Sequence, residues 1–275
     1  MQKAWSVVSV VGVGLMGGSF ALALRKAGFR GKIIGVSSPP TIAAALERRV
    51  IDETMPLRDA AAQSDLIYLA RPIEGILEVL DDIDPWVFPG TLITDAGSTK
   101  AAIVERAQKK IRRGRFIGGH PMAGKQSRGV AEADADLFHR RPYVLTAEDA
   151  QLEQWIRRIG ARIVRMDPDE HDRLVALTSH LPQLISTALG ASIAGERSAA
   201  SVAGPAALDM TRLAMSPYDI WRDIFLTNSG PIDAALETFI GRLEELRKMI
   251  GRAEIREEFT RGAEGAHALR GVEVL

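Results

Sequence analysis

One imidazole stands in a setting that catalysis would need and a core would not. His120 lies in the stretch Arg115-Phe-Ile-Gly-Gly-His-Pro-Met-Ala-Gly-Lys-Gln-Ser-Arg-Gly129, among four glycines and followed by a proline. Glycines let backbone approach a ligand closely, and the proline stiffens the turn. An imidazole titrates near neutral pH and can take or give a proton there. His120 is therefore the candidate catalytic residue, with a satisfied loop or core histidine as the opposing reading. Ser98, in Asp95-Ala-Gly-Ser-Thr-Lys100, follows an apolar strand candidate and so belongs to the ligand crevice of an open α/β sheet. It can hold a substrate hydroxyl or His120 itself, or merely cap the next helix.

Further candidates lie in the second half. Thr178-Ser-His-Leu-Pro-Gln183 places His180 and Gln183 three residues apart on one helical face, beside a proline that kinks helices. His171 stands nine residues before His180, half a turn out of phase, and reads as structural or surface. Arg212 has apolar neighbours and suits a carboxylate held by two hydrogen bonds, unless it pairs with Asp209.

A cofactor turn precedes all of these. Gly12-Val-Gly14-Leu15-Met16-Gly17 follows the apolar run 6–11 and opens a helical pattern, with a second strand at 32–36. In that βαβ context the glycines fit a dinucleotide site. Gly12 permits the turn, Gly14 lets the pyrophosphate approach, Gly17 allows close helix packing, and Leu15 and Met16 begin the phosphate-facing helix. A carboxylate at the end of the second strand would favour NAD, but Ser37 and Ser38 stand there, with Thr41 nearby. Three hydroxyls and no acid tilt the expectation mildly toward NADP over NAD, although no arginine directly follows the strand.

These residues need a scaffold. Strand candidates at 66–70, 91–94, 116–118, 143–145 and 161–165 alternate with helical segments, which implies a mainly parallel, doubly wound sheet over residues 1–167. Asp167-Pro-Asp-Glu170 announces a helix, and residues 168–275 show no convincing strand. Ile232, Leu236, Phe239, Leu243, Leu246 and Ile250 form one apolar stripe, either a core face or a dimer seam. The tail after Glu264 is small and polar and reads as loosely held.

Composition removes other classes. Lys plus Arg and Asp plus Glu number 35 each, so no basic surplus points to nucleic acid or an anionic membrane. The absence of cysteine excludes disulfides, thiolate catalysis and zinc–cysteine sites, and no His/Asp/Glu spacing suggests a metal. With neither a signal peptide nor an 18-residue apolar run, a soluble cytoplasmic protein is expected.

The blocks GVGLMGGS (12–19), DAGSTK (95–100), FIGGHPMAGKQSRG (116–129), HDRLVALTSHLPQL (171–184) and TRLAMSPYDIWRDI (211–224) together resemble the prephenate/arogenate dehydrogenase family of tyrosine biosynthesis. The resemblance implies a Rossmann-like N-terminal domain and an all-helical C-terminal domain that forms a homodimer. It implies oxidative decarboxylation of prephenate or arogenate, with hydride passing to NAD(P). By position His120 matches the catalytic histidine and Ser98 the serine bonding it and the substrate hydroxyl. Arg212 matches the arginine gripping the ring carboxylate, and His180 and Trp221 match pocket residues. Gln183 stands where the family often has a second histidine, and Gly204-Pro-Ala-Ala-Leu208 replaces a Gly-Gly-Phe-like run. Both departures bear on substrate preference. Two competing readings are a β-hydroxyacid dehydrogenase, whose lysine would have to be Lys248, and a dinucleotide-sensing dimer without catalysis.

Overall fold

An apolar run without alternation, such as Val7–Val11, requires cover on both faces, which a parallel α/β sheet provides. In the computed structural model, which describes residues 4–125 and 127–271, this run is β1 of a six-stranded sheet. Its other strands are β2 (Lys32–Val36), β3 (Glu53–Thr54), β4 (Leu66–Leu69), β5 (Leu92–Asp95) and β6 (Arg115–Ile117). They run in the order β3-β2-β1-β4-β5-β6, and every pair is parallel. Between them lie α1 (Leu15–Lys26), α2 (Pro39–Glu47), α3 (Leu57–Ala61), α4 (Ile73–Asp82) and α5 (Ala101–Lys110). This is the doubly wound Rossmann order, and its direction reverses between β1 and β4, where such sheets bind ligands.

The later strands do not complete this sheet as the sequence suggests. Instead β7 (Gly119–Pro121), β8 (Pro142–Leu145) and β9 (Arg162–Arg165) form a second sheet, with α6 (Ala150–Arg158) between β8 and β9. β7 runs antiparallel to β8, and β8 parallel to β9. The chain changes sheets at Gly118, whose N–H donates to Thr146 Oγ1 (2.9 Å) and whose carbonyl accepts from Thr146 N (3.0 Å). One core joins the layers: Phe20 of α1 stacks on Tyr68 of β4, and Trp155 of α6 meets Trp5 and Phe29. Each such large apolar side chain stabilises the fold by about 1.5–3 kcal/mol.

The helical part begins as its sequence announces. The Asp167 carboxylate accepts from Asp169 N (2.9 Å), and Pro168 opens α7 (Pro168–Val175). One turn of π-helix, Ala176–His180, joins it to α8 (Leu181–Ala194). Pro182 has no N–H to continue the α-helical ladder, and the widened turn just before it absorbs the break. Then come α9 (Pro205–Thr211), a 3₁₀ turn over Arg212–Met215, α10 (Tyr218–Thr227), α11 (Ser229–Met249) and α12 (Ile255–Gly271). The segment expected to be loose after Glu264 is thus helical through Gly271, as its Ala, Leu and Arg content favours.

Packing divides the chain into Met1–Ser229 and Gly230–Leu275, later than the change of pattern at 167. The reason is a set of polar clamps. Asp172 of α7 accepts from the first N–H groups of α5, and Asp223 of α10 accepts from Glu74 N of α4 (3.0 Å). On α11, Ile232 and Ala235 are buried, whereas Leu243 is 48% exposed and Ile250, just past the helix, 72%. The apolar stripe is therefore core at its start and uncovered further on. Among the described residues, no helix is long and apolar enough to cross a membrane.

Candidate active site

The glycine turn has the shape a diphosphate needs. Gly12 has φ +95°, and a Cβ there would lie 2.3 Å from Ala70 O; one on Gly17 would lie 2.0 Å from Gly12 O. Nothing approaches a Cβ on Gly14 within 4 Å, so the space above the turn is open. Leu15 and Met16 then begin α1, whose first turn has neither a side-chain cap nor an acidic residue. Its free N–H groups and partial positive charge suit a phosphate anion. Beyond β2, Ser37 and Ser38 are exposed, and Ser38 Oγ lies 2.9 Å from Thr41 Oγ1. No carboxylate occupies 37–41. The residues present fit a nicotinamide dinucleotide.

A cavity of about 860 Å³ brings together Ser98, His120, His180 and Trp221. Its volume is that of a small-molecule site. Lys125, inside the block 116–129, also lines it, as do His139 and Arg141, which no sequence signal marks.

His120 sits at the middle of β7, a strand three residues long that the sequence does not suggest. Its placement depends on a buried ion pair. Lys100, wholly enclosed, binds Asp95 and donates to Gly119 O (2.8 Å), while Asp95 Oδ1 accepts from Gly119 N (2.9 Å). Both polar groups of the residue before His120 are thereby held. Gly119 must be glycine, since a Cβ would reach 2.6 Å from Asp95 O. Burial pushes the His120 pKa well below the ordinary imidazole value, and His171, Lys100 and His180 push it the same way.

The hydrogen-bond partner of His120 is His171, not Ser98: His120 Nδ1 and His171 Nε2 are 2.8 Å apart. His171 Nδ1 lies 2.8 Å from Asp172 Oδ1, and His171 is fully buried. The structural or surface reading of His171 thus fails as to surface, and its contact places it behind His120. The half-turn offset between His171 and His180 holds only for an uninterrupted α-helix. The π turn adds a residue between the two histidines and rotates the helix beyond it by roughly 100°. Ser98 does not cap α5 either, because the N–H groups of Lys100 (2.7 Å) and Ala101 (2.9 Å) bind the Asp172 carboxylate.

His180 is fixed by Asn228, a residue outside every sequence motif. Asn228 Nδ2 donates to the Asp172 carbonyl (2.8 Å) and to His180 Nδ1 (3.1 Å). An amide nitrogen only donates, so His180 Nδ1 accepts and its proton sits on Nε2. Burial lowers its pKa to about 4 against the pull of Asp172, which makes it a neutral donor at neutral pH. Trp221 meets His180 edge-on at 6.1 Å, and its Nε1–H donates to Ser216 Oγ (2.9 Å).

Two candidates stand outside the cavity. Gln183 is buried, and its Nε2 donates to Leu213 O (2.9 Å) and Thr187 Oγ1 (3.2 Å). The amide supports the 3₁₀ turn as a second donor to the Leu213 carbonyl, which also accepts from Ser216 N (2.9 Å). Arg212, in the same turn, is exposed and has no ion-pair partner among the described residues, Asp209 included.

His120 and His180 make stability depend on pH. Both pKa values are lower in the folded than in the unfolded chain, so the unfolded chain binds more protons below about pH 6.5. Stability is therefore complete above that pH and falls as pH drops from about 6.5 toward 5, before carboxylates titrate. The urea midpoint at pH 7.5 and at pH 5.0 should show this fall, and His180→Asn should reduce it.

Residues 20–165 match the family described as "Prephenate dehydrogenase, nucleotide-binding domain", and residues 167–263 match "Prephenate dehydrogenase, dimerization domain". The chain is 34% identical over 254 residues to a prephenate dehydrogenase of Lactococcus lactis, covering 90% of this chain and 72% of that one. A prephenate dehydrogenase from A. aeolicus, solved with hydroxyphenyl propionate and NAD+, superposes with TM-score 0.86 at 29% identity, covering 98% and 99% of the two chains. Synechocystis arogenate dehydrogenase superposes with TM-score 0.80 at 30% identity, covering 96% and 99%. Matched in both halves and along nearly its whole length, the chain belongs to the prephenate dehydrogenase family.

Proposed function

We propose that this protein oxidises a cyclohexadienol, prephenate or arogenate, with loss of CO2, yielding 4-hydroxyphenylpyruvate or tyrosine. The observation that carries the reading is His120 itself. Its Nδ1 is engaged by His171, and its Nε2 has no partner among the described residues of a chain that also carries a dinucleotide turn. When bound, the nicotinamide supplies the hydride acceptor.

The chain's own residues do the rest. Neutral His120 Nε2 accepts the proton of the C4 hydroxyl as hydride leaves C4, and Ser98 holds that hydroxyl in line. The bond from C1 to the carboxylate then breaks, its electrons make the ring aromatic and pass to the C4 oxygen, which takes a proton back to become the phenol, and CO2 departs. His180, as an N–H donor, and Trp221, as an apolar wall, orient the ring.

Arg212 takes the ring carboxylate in this proposal. Its guanidinium has no ion pair among the described residues, and Ser216 and Trp221, a few residues on, line the cavity. A hydrogen-bonded charge pair is worth roughly 1.5–3 kcal/mol, so Arg212→Leu should raise KM about ten- to a hundredfold. Steady-state kinetics checks this, and an unchanged KM would remove Arg212 from the site. Gln183 acts behind the pocket by holding the Arg212–Met215 turn.

NADP is favoured over NAD, on the support of Ser37, Ser38 and Thr41 with no carboxylate among them. A homodimer through residues 168–275 is supported by the exposed Leu243 and Ile250 of a segment whose family is described as a dimerization domain. The β-hydroxyacid alternative loses its lysine. Lys248 is exposed and pairs with Glu245 (3.0 Å), which raises its pKa. Crossing prephenate and arogenate with NAD and NADP, and reading reduced nicotinamide, tests the proposal. Turnover in any combination supports it, and the kcat/KM ratios assign both preferences. No turnover in any of the four, with cofactor bound, would favour the sensing dimer.

A further inference from the structure

We propose that Asp172 and His171 are positioning residues that set the tautomer of His120, so that Nε2 faces the cavity as a bare lone pair. This rests on the reading of His120 as the base, but hydrogen-bond direction alone carries it.

The chain of donors starts at Asp172. Its carboxylate is buried at the start of α5, where it accepts from Lys100 N (2.7 Å) and Ala101 N (2.9 Å). Both bonds are accepted from backbone donors at a helix N-terminus, and a carboxylate only accepts. His171 Nδ1, 2.8 Å away, must then carry a proton. A neutral imidazole with its proton on Nδ1 has its lone pair on Nε2. That lone pair lies 2.8 Å from His120 Nδ1, which must donate to it. His120 is left with its own lone pair on Nε2, the atom proposed to take the hydroxyl proton.

The other assignment is an imidazolium at position 171. It would donate to His120 Nδ1 and put the His120 proton on Nε2, the wrong place for a base. The surrounding groups bear on this choice from every packed element. Asp172 on α7 and Asp95 on β5 are anionic, and Lys100 before α5 is a buried cation. His180 at the end of the π turn has its Nδ1 held by Asn228. Lys100 answers Asp95 directly, so one carboxylate, Asp172, is left to orient His171 by accepting, with no need for a second buried positive charge.

The arrangement also serves the reaction. Once His120 Nε2 has taken the proton, the positive charge on its ring faces a lone pair on His171, and behind that an anion. Orienting an imidazole through a buried carboxylate is worth on the order of 10⁴-fold in kcat in hydrolases that use one directly.

Imidazole ¹⁵N NMR of the free protein, with His120 assigned through a His120→Gln control, is the test. The expected spectrum shows His120 protonated on Nδ1 and bare on Nε2. Asp172→Asn can turn an amide N–H toward His171 Nδ1, and it should move the His120 proton to Nε2. It should also lower kcat on the order of a hundredfold or more while KM and cofactor affinity stay within about threefold. His171→Leu should give the same split between kcat and KM. His171→Gln, whose carbonyl can still accept from His120 Nδ1, should recover at least roughly a tenth of the wild-type rate. A wild-type spectrum with the proton on Nε2 would overturn the proposal, as would a kcat for His171→Leu close to wild type. The spectrum needs neither substrate nor turnover. Failure of this inference is therefore distinct from failure of the proposed reaction, and a variant that does not fold leaves the wild-type spectrum decisive.

Discussion

Replacing His120 by alanine should lower kcat by about 10²–10⁴-fold, the usual share of a positioned general base. KM and cofactor affinity should change little, because Ser98, His180, Trp221 and the Gly12–Gly17 turn remain. The wild-type pH profile should carry the same signature. Burial and three neighbouring nitrogens hold the His120 pKa well below the ordinary imidazole value, so the base is already neutral at pH 7. Activity is then present above that lowered pKa and lost as pH falls through it, which places the acid limb of kcat/KM below about 6.5. Initial rates from pH 4.5 to 9 measure both effects. A His120→Ala enzyme within a few-fold of wild type would assign the base elsewhere.

The largest effect on stability should come from Lys100. Its ammonium and the Asp95 carboxylate are both fully buried, and each satisfies the other while clamping Gly119. Removing one partner leaves an uncompensated buried charge, which costs roughly 3–5 kcal/mol. Lys100→Met should therefore shift the urea midpoint strongly downward. Adding Asp95→Asn removes the stranded charge but keeps an acceptor for Gly119 N, so the double variant should be more stable than the single one. Equilibrium unfolding of the three proteins decides this, and a Lys100→Met loss under about 1 kcal/mol would mean water reaches the pair. The burial that raises the cost also lowers the lysine pKa, while Asp95 and Asp172 oppose that shift.

Much of the fold and site is legible in the chain because the rules involved are local. A β-branched run ending in glycine, then a helical pattern and a second strand, predicts the βαβ glycine turn that the structure shows. Asp167-Pro168 likewise starts its helix as written. The second sheet is not legible, because its first strand, β7, is three residues long and carries no periodicity to read. With no sign of a break after β6, its strands read as further members of the first sheet. His171 escapes a phase rule that holds only for an unbroken α-helix, and Pro182 is the sign of the break. The pair His171-Asp172 has a further sign of its own, an imidazole beside a carboxylate in an otherwise apolar helical block. Lys100 is hidden by convention, since lysines are rarely enclosed, although Asp95 stands five residues before it at the strand end. Gln183 shares a helical face with His180, but its amide turns from the cavity to the Leu213 carbonyl and the Thr187 hydroxyl.

One claim is central, that His120 drives an oxidation coupled to decarboxylation. The most direct measurement follows reduced nicotinamide and released CO2 together, from prephenate and from arogenate, with wild-type protein and with His120→Ala. Equal molar amounts of both products from the wild type, and a near-complete loss of both in the variant with cofactor still bound, are the predicted result. Reduced nicotinamide without CO2, or undiminished release of both from the variant, would contradict it.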